Sequence, residues 1–104
     1  MKEISALELR EKINNKESMI VDFYATWCGP CKMLSEELTK VESEYPIYKV
    51  DVEEDIDLST LMGIRSVPAI KYIKEGEVVS TTIGLKSAKE INNLITENMA
   101  WVKN

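Results

Sequence analysis

The run Ile20-Val21-Asp22-Phe23-Tyr24-Ala25 leads directly into a segment of helical periodicity, and the only two cysteines of the chain, Cys28 and Cys31, stand at the join. A short run of β-branched and aromatic residues favours a strand, and this one is apolar on both faces except for a single carboxylate, as a central strand is. From Pro30 onward Leu34, Leu38, Val41 and Tyr45 recur at spacings of four, three and four. That is one stripe of an amphipathic helix, expected to end before Pro46. A buried strand that feeds a helix so directly commits the chain to alternating strands and helices around a sheet covered on both sides.

The rest of the sequence fits that commitment. Ser5-Ala6-Leu7-Glu8 has the form of a capping box and predicts a short helix to about Lys12, with Asn14-Asn15 in the loop that follows. Residues 47–52 read as a strand, residues 57–62 as a short helix ended by Gly63, and residues 69–73 as another strand. Glu75-Gly76 is a turn signal, and residues 77–83 complete a hairpin. Ser87-Ala88-Lys89-Glu90 is a second capping box, opening a last helix with Ile91, Leu94, Ile95 and Met99 on its inner face. Alternation first and a hairpin late predict a mixed sheet.

With 104 residues, 44% hydrophobic and 30% charged, and with no repeat, linker or low-complexity stretch, residues 1–104 are expected to form one domain that needs no metal or staple. Thirteen basic residues against 18 acidic ones give a net charge of -5, and the basic residues are scattered, so nucleic acid is not an expected partner. Asp22 interrupts the longest apolar run, and Met1-Lys2-Glu3-Ile4 begins no hydrophobic segment. The expected location is therefore the cytoplasm, with no membrane partner.

Cys28 and Cys31 stand three positions apart, and a loop that short yields only about 2 kcal/mol of chain-entropy stabilisation against about 4.7 for a 100-residue loop. A structural staple is a poor use of such a pair, and a redox centre a good one. At the start of a helix, unpaired backbone N–H groups and the macrodipole favour negative charge and bring a thiol pKa below its usual value of about 8.5. Cys28 sits at that end, which makes it the expected nucleophile. Cys31, about one turn deeper, is placed to attack a mixed disulfide from inside. Pro30 suits the first helical turn, and Gly29 leaves room for a large substrate near the sulfur. A zinc half-site is the competing reading, but a closed site needs four ligands, and the chain has two cysteines and no histidine. No metal is expected. The residues alone leave open whether Asp22 is buried or faces solvent on an edge strand, and a trans Val67-Pro68 bond is the ordinary reading.

Val21-Asp22-Phe23 before the cysteines, Trp27-Cys28-Gly29-Pro30-Cys31-Lys32-Met33, Gly63-Ile64-Arg65, Val67-Pro68 and Gly76-Glu77 with Gly84 occur in the order and spacing of the thioredoxin family. The chain resembles that family over nearly its whole length. The resemblance implies a sheet of about five strands flanked by about four helices, and a protein-disulfide reductase that carries electrons through a reversible Cys28–Cys31 disulfide. It implies that Asp22 lies under the cysteines with Lys49 nearby and passes protons to and from Cys31. It also implies a cis bond before Pro68, which leaves the Val67 backbone free to pair with an extended target segment. Trp27, Val52, Ser66, Ile83, Gly84 and Leu85 match the apolar surface around that site. No bound cofactor is implied; a thioredoxin reductase supplies the electrons, disulfide-containing proteins receive them, and the chain works as a monomer.

Two residues depart from the family pattern. Glu36 stands where a helix-kinking proline is common, which predicts a straighter second helix, and Tyr24 replaces a common tryptophan. A thiol oxidase or isomerase on the same fold is the nearest rival, and Gly29-Pro30 between the cysteines favours the reductase. A partner-docking subunit that needs neither thiol is the rival of another class.

Overall fold

The computed structural model describes residues 1–99, in which the elements follow in the order β1 (Lys2–Glu3), α1 (Ala6–Asn14), β2 (Met19–Tyr24), α2 (Gly29–Leu38), β3 (Ile47–Asp51), α3 (Ile56–Leu61), β4 (Ala69–Lys74), β5 (Glu77–Ile83) and α4 (Ala88–Asn98). The strands make one mixed sheet in the order β1-β3-β2-β4-β5. β3 runs parallel to both β1 and β2, whereas β4 is antiparallel to β2 and to β5. β2 is thus the central strand that its composition requires, buried at every residue but Tyr24.

Side chains alternate across a strand, so β2 divides its apolar residues between two cores. Met19, Val21 and Phe23 pack with Leu9 of α1 and Leu58 of α3. Ile20 packs on the other side with Leu34 and Leu38 of α2 and Ile91 and Ile95 of α4. Asp22, two residues beyond Ile20, belongs by the same alternation to the α2 and α4 side. That places a carboxyl group beneath the helix that carries the cysteines.

The helix ends show which local signals were sufficient. Ser87 builds both halves of the expected capping box with Glu90. At α1 only one half forms, in which the Ser5 hydroxyl accepts from the Glu8 amide at 3.0 Å; the Ala6 amide, which is not part of the box, donates to Glu54 at 2.8 Å. α1 runs on to Asn14, and β1 is a strand that two exposed polar residues did not announce.

The largest correction concerns α2. Its stripe predicts a helix to Tyr45, but the helix stops at Leu38. The Thr39 hydroxyl donates to the Glu36 carbonyl at 2.6 Å, and the amides of Thr39, Lys40 and Val41 each donate to the carbonyl three residues back. These tight turns consume the carbonyls that a continuing helix needs. Val41 and Tyr45 still pack on the α2–α4 core, from the connecting segment rather than from a helix. Glu36 lies inside α2, two residues before its end. The Glu75-Gly76 turn forms as expected, with Gly76 at φ 80° and so close to α1 that a Cβ there would lie 2.8 Å from the Ile13 carbonyl oxygen.

Candidate active site

The path from β2 into α2 sets the cysteines. Cys28 is the residue that caps α2: its sulfur accepts the Cys31 amide at 3.2 Å, and Pro30 occupies the first turn, where a missing N–H costs nothing. Cys28 and Cys31 are joined as a disulfide, with their Cα atoms 5.3 Å apart. Exposure does not separate them, since they are 4% and 3% accessible. Their surroundings do. Cys28 sulfur lies 3.8 Å from the Val67 carbonyl oxygen, a contact that becomes a hydrogen bond only when the sulfur carries a proton. Cys31 lines a depression of about 240 Å³ together with Tyr24, Ala25, Thr26, Lys32 and Lys49.

Asp22 is fully buried, and neither of its carboxyl oxygens has a hydrogen-bond partner among the described residues. Such an orphaned charge is expensive, so burial pushes the carboxyl up from its ordinary 3.8 to about 7, with the Lys49 charge acting in the opposite sense. Sheet register sets Asp22 level with Lys49 of β3 and Ile70 of β4. The Lys49 ammonium in turn lies 4.2 Å from the centre of the Tyr24 ring, and the Tyr24 hydroxyl donates to Glu3 at 2.5 Å.

The Val67–Pro68 peptide is cis, and the Gly84 amide donates to the Pro68 carbonyl at 2.8 Å, tying this loop to the end of β5. Trp27 is 72% exposed beside the cysteines and lines a pocket of about 250 Å³ with Val52, Ser66 and Val67. Ile83 and Leu85 are exposed at the other side of the Pro68 loop, and Leu85 lines a separate depression with Met33 and Glu36. A side chain at Gly29 would meet nothing within 4 Å, so the space outside the disulfide is open. The α3 residues Ile56, Ser59 and Thr60, with Ile64 and Arg65, complete the Trp27 pocket; Ile64 and Arg65 stand in a motif of the family resemblance but were not assigned to the site, and the three α3 residues were not singled out from the sequence. An apolar Ile56 at 62% exposure on a short helix is the signal that finds them. Among the described residues no group of three or more His, Cys, Asp or Glu could hold a metal ion, and no helix is long and apolar enough to cross a membrane.

A closely spaced cysteine pair joined as a disulfide at the start of a helix, over a mixed sheet with an unpartnered carboxyl beneath it, defines a thiol–disulfide oxidoreductase. Comparison with known proteins is more specific, for the thioredoxin family model matches residues 1–97. The chain belongs to the thioredoxin family. It is 34% identical over 85 residues to the thioredoxin of Bacillus subtilis, covering 78% of this chain and 82% of that one. It is likewise 34% identical over 91 residues to the thioredoxin of Listeria monocytogenes, covering 84% and 88%. Among solved structures, a mutant thioredoxin from Halobacterium salinarum superposes with a TM-score of 0.84 at 28% identity, covering 98% and 95% of the two chains. Chloroplastic thioredoxin z superposes at 0.81 with 34% identity, covering 93% and 92%. The five-stranded mixed sheet with four helices is therefore the thioredoxin fold, and protein-disulfide reduction through a dithiol–disulfide couple is the activity that comes with the family.

Proposed function

We propose that Cys28 attacks target disulfides, that Cys31 resolves the mixed disulfide, and that Asp22 with Lys49 manages the proton that Cys31 must lose. The Cys28 thiolate attacks one sulfur of the target, and the other target sulfur leaves as a thiolate. Cys31 then gives its proton to Asp22 and attacks the Cys28 sulfur. The mixed bond breaks, the second target thiolate leaves and takes up a proton, and two electrons have passed to the target. Val67 pairs through its backbone with an extended target segment beside Pro68, while Trp27, Gly29, Pro30, Val52, Ser66, Ile83, Gly84 and Leu85 form the surface that receives it. A thioredoxin reductase restores the dithiol, and the chain acts as a cytoplasmic monomer with no bound cofactor.

The observation that carries the assignment of roles is the Cys31 amide aimed at the Cys28 sulfur, 3.2 Å away at the start of α2. A donor already directed at that sulfur stabilises its thiolate, as a helix N-terminus does for any anion. Cys31→Ser is expected to accumulate covalent mixed disulfides with target proteins through Cys28, read on non-reducing gels, and Cys28→Ser is not. Equal trapping by Cys28→Ser would reverse the roles. A reduction potential measured against glutathione gives the direction of electron flow, and a value near the roughly −180 mV of a disulfide isomerase would contradict the reductase reading.

A further inference from the structure

Four polar side chains share one face of the sheet beside the cysteines. Register sets Glu3 of β1 level with Lys49 of β3, and Lys49 level with Asp22 of β2, so the three form a row across adjacent strands. Tyr24, two residues along β2 from Asp22, projects from the same face. Its ring lies 4.2 Å from the Lys49 ammonium, and its hydroxyl donates to the Glu3 carboxylate at 2.5 Å. The ring thus bridges from the central strand to the edge strand across the lysine. A lysine on a flexible four-carbon stem has many positions available, and a ring face at this distance selects one of them.

We propose that Glu3 and Tyr24 are positioning residues for the reaction: Glu3 anchors the Tyr24 phenol, and the Tyr24 ring seats the Lys49 ammonium where its charge acts on Asp22. The proposal rests on the reading of Asp22 as the group that takes the Cys31 proton. Seated there, Lys49 opposes the effect of burial on Asp22 and keeps the carboxyl able both to accept and to return a proton. Among the described residues Lys49 is the cation whose charge acts on Asp22. α2 brings Cys31, and Lys32 lines the same depression; β4 places Ile70 alongside; α4 presents Ile91 and Ile95 to this face; and Asp51 at the end of β3 is an anion that acts on Tyr24.

Competing explanations carry opposite signs, which makes the test decisive. The midpoint of Asp22 is followed by NMR of its side-chain carboxyl carbon in the full oxidised chain, in Lys49→Met, Tyr24→Leu, Tyr24→Phe and Glu3→Gln. Lys49→Met is expected to raise the midpoint by about one unit, the lower end of what an opposite charge at close range does. Tyr24→Leu should raise it at least half as much, with smaller rises in Glu3→Gln and Tyr24→Phe, and no further rise when Tyr24→Leu is combined with Lys49→Met. Loss of the Glu3 charge by itself lowers the midpoint, and so does water admitted by a missing ring. An unchanged or lowered midpoint in Tyr24→Leu overturns the seating by the ring, and the same result in Glu3→Gln and Tyr24→Phe overturns the anchor. Tyr24→Phe and Glu3→Gln are mild enough to keep the fold if Tyr24→Leu does not. If the midpoints move as expected but Asp22→Asn leaves the pH dependence of disulfide exchange unchanged, the proton role of Asp22 fails while the positioning stands.

Discussion

Two lysine–tyrosine pairs lie at opposite ends of the sheet, and they are finished in different ways. At the far end, Lys74 lies 5.1 Å from the Tyr45 ring, donates to the Tyr45 hydroxyl at 2.7 Å and to the Met99 carbonyl, and Tyr45 donates to that same carbonyl at 2.5 Å. The polar groups there satisfy one another and fasten the end of α4. At the cysteine end, Lys49 and Tyr24 form a similar pair, yet the Asp22 carboxyl receives no hydrogen bond among the described residues. Buried polar groups in folded proteins are almost always partnered, so Asp22 carries a cost in stability that the polar groups at the far end do not.

The largest test of this contrast is the pH dependence of stability. A carboxyl whose pKa rises from 3.8 to about 7 on folding binds more protons in the folded chain, so its contribution is fully present below the unfolded value and is lost as pH rises through the folded one. Three units at about 1.4 kcal/mol each make roughly 4 kcal/mol. Asp22→Ala should therefore gain about 4 kcal/mol relative to the parent between about pH 3 and pH 8, in urea unfolding of the oxidised proteins. A constant difference across that range would mean that Asp22 titrates as an ordinary surface carboxyl. At the other end, Lys74→Met should destabilise by about 1–3 kcal/mol, because it removes the charged donor's hydrogen bonds to the Tyr45 hydroxyl and to the Met99 carbonyl, to which Tyr45 still donates. An unchanged or raised stability would erase the distinction between the two ends. The smallest effect belongs to exposed Glu3: Glu3→Gln should change stability by less than about 0.5 kcal/mol while still moving the Asp22 midpoint. A larger destabilisation would make Glu3 a brace for the edge strand rather than a positioning residue.

Much of this was written in local sequence. The strand from Ile20, the cysteines at its end and the Ser87 box depend on short-range preferences, and each formed where it was expected. Burial of Asp22 followed from the family resemblance and not from its own residue type, because a lone Asp in an apolar run has two readings until the neighbouring strands are known. The end of α2 was hidden because Val41 and Tyr45 face the core whether or not the backbone between them is helical, so periodicity reports the buried side and not the hydrogen bonding. Glu54 as the partner of the Ala6 amide, and Glu3 as the partner of Tyr24, are contacts between distant parts of the chain, 48 and 21 residues apart, and no local pattern encodes them.

Cys28 is both the sulfur proposed to attack target disulfides and the acceptor that begins α2. A descendant of this chain that abandoned redox work would still need an acceptor at position 28, so drift there is channelled toward serine, threonine, asparagine or aspartate, whereas alanine forfeits about 0.5–2 kcal/mol of helix start. Position 31 contributes its backbone amide to that bond, which any residue but proline supplies. The two cysteines, inseparable as a catalytic pair, are therefore under unequal constraint once catalysis is gone.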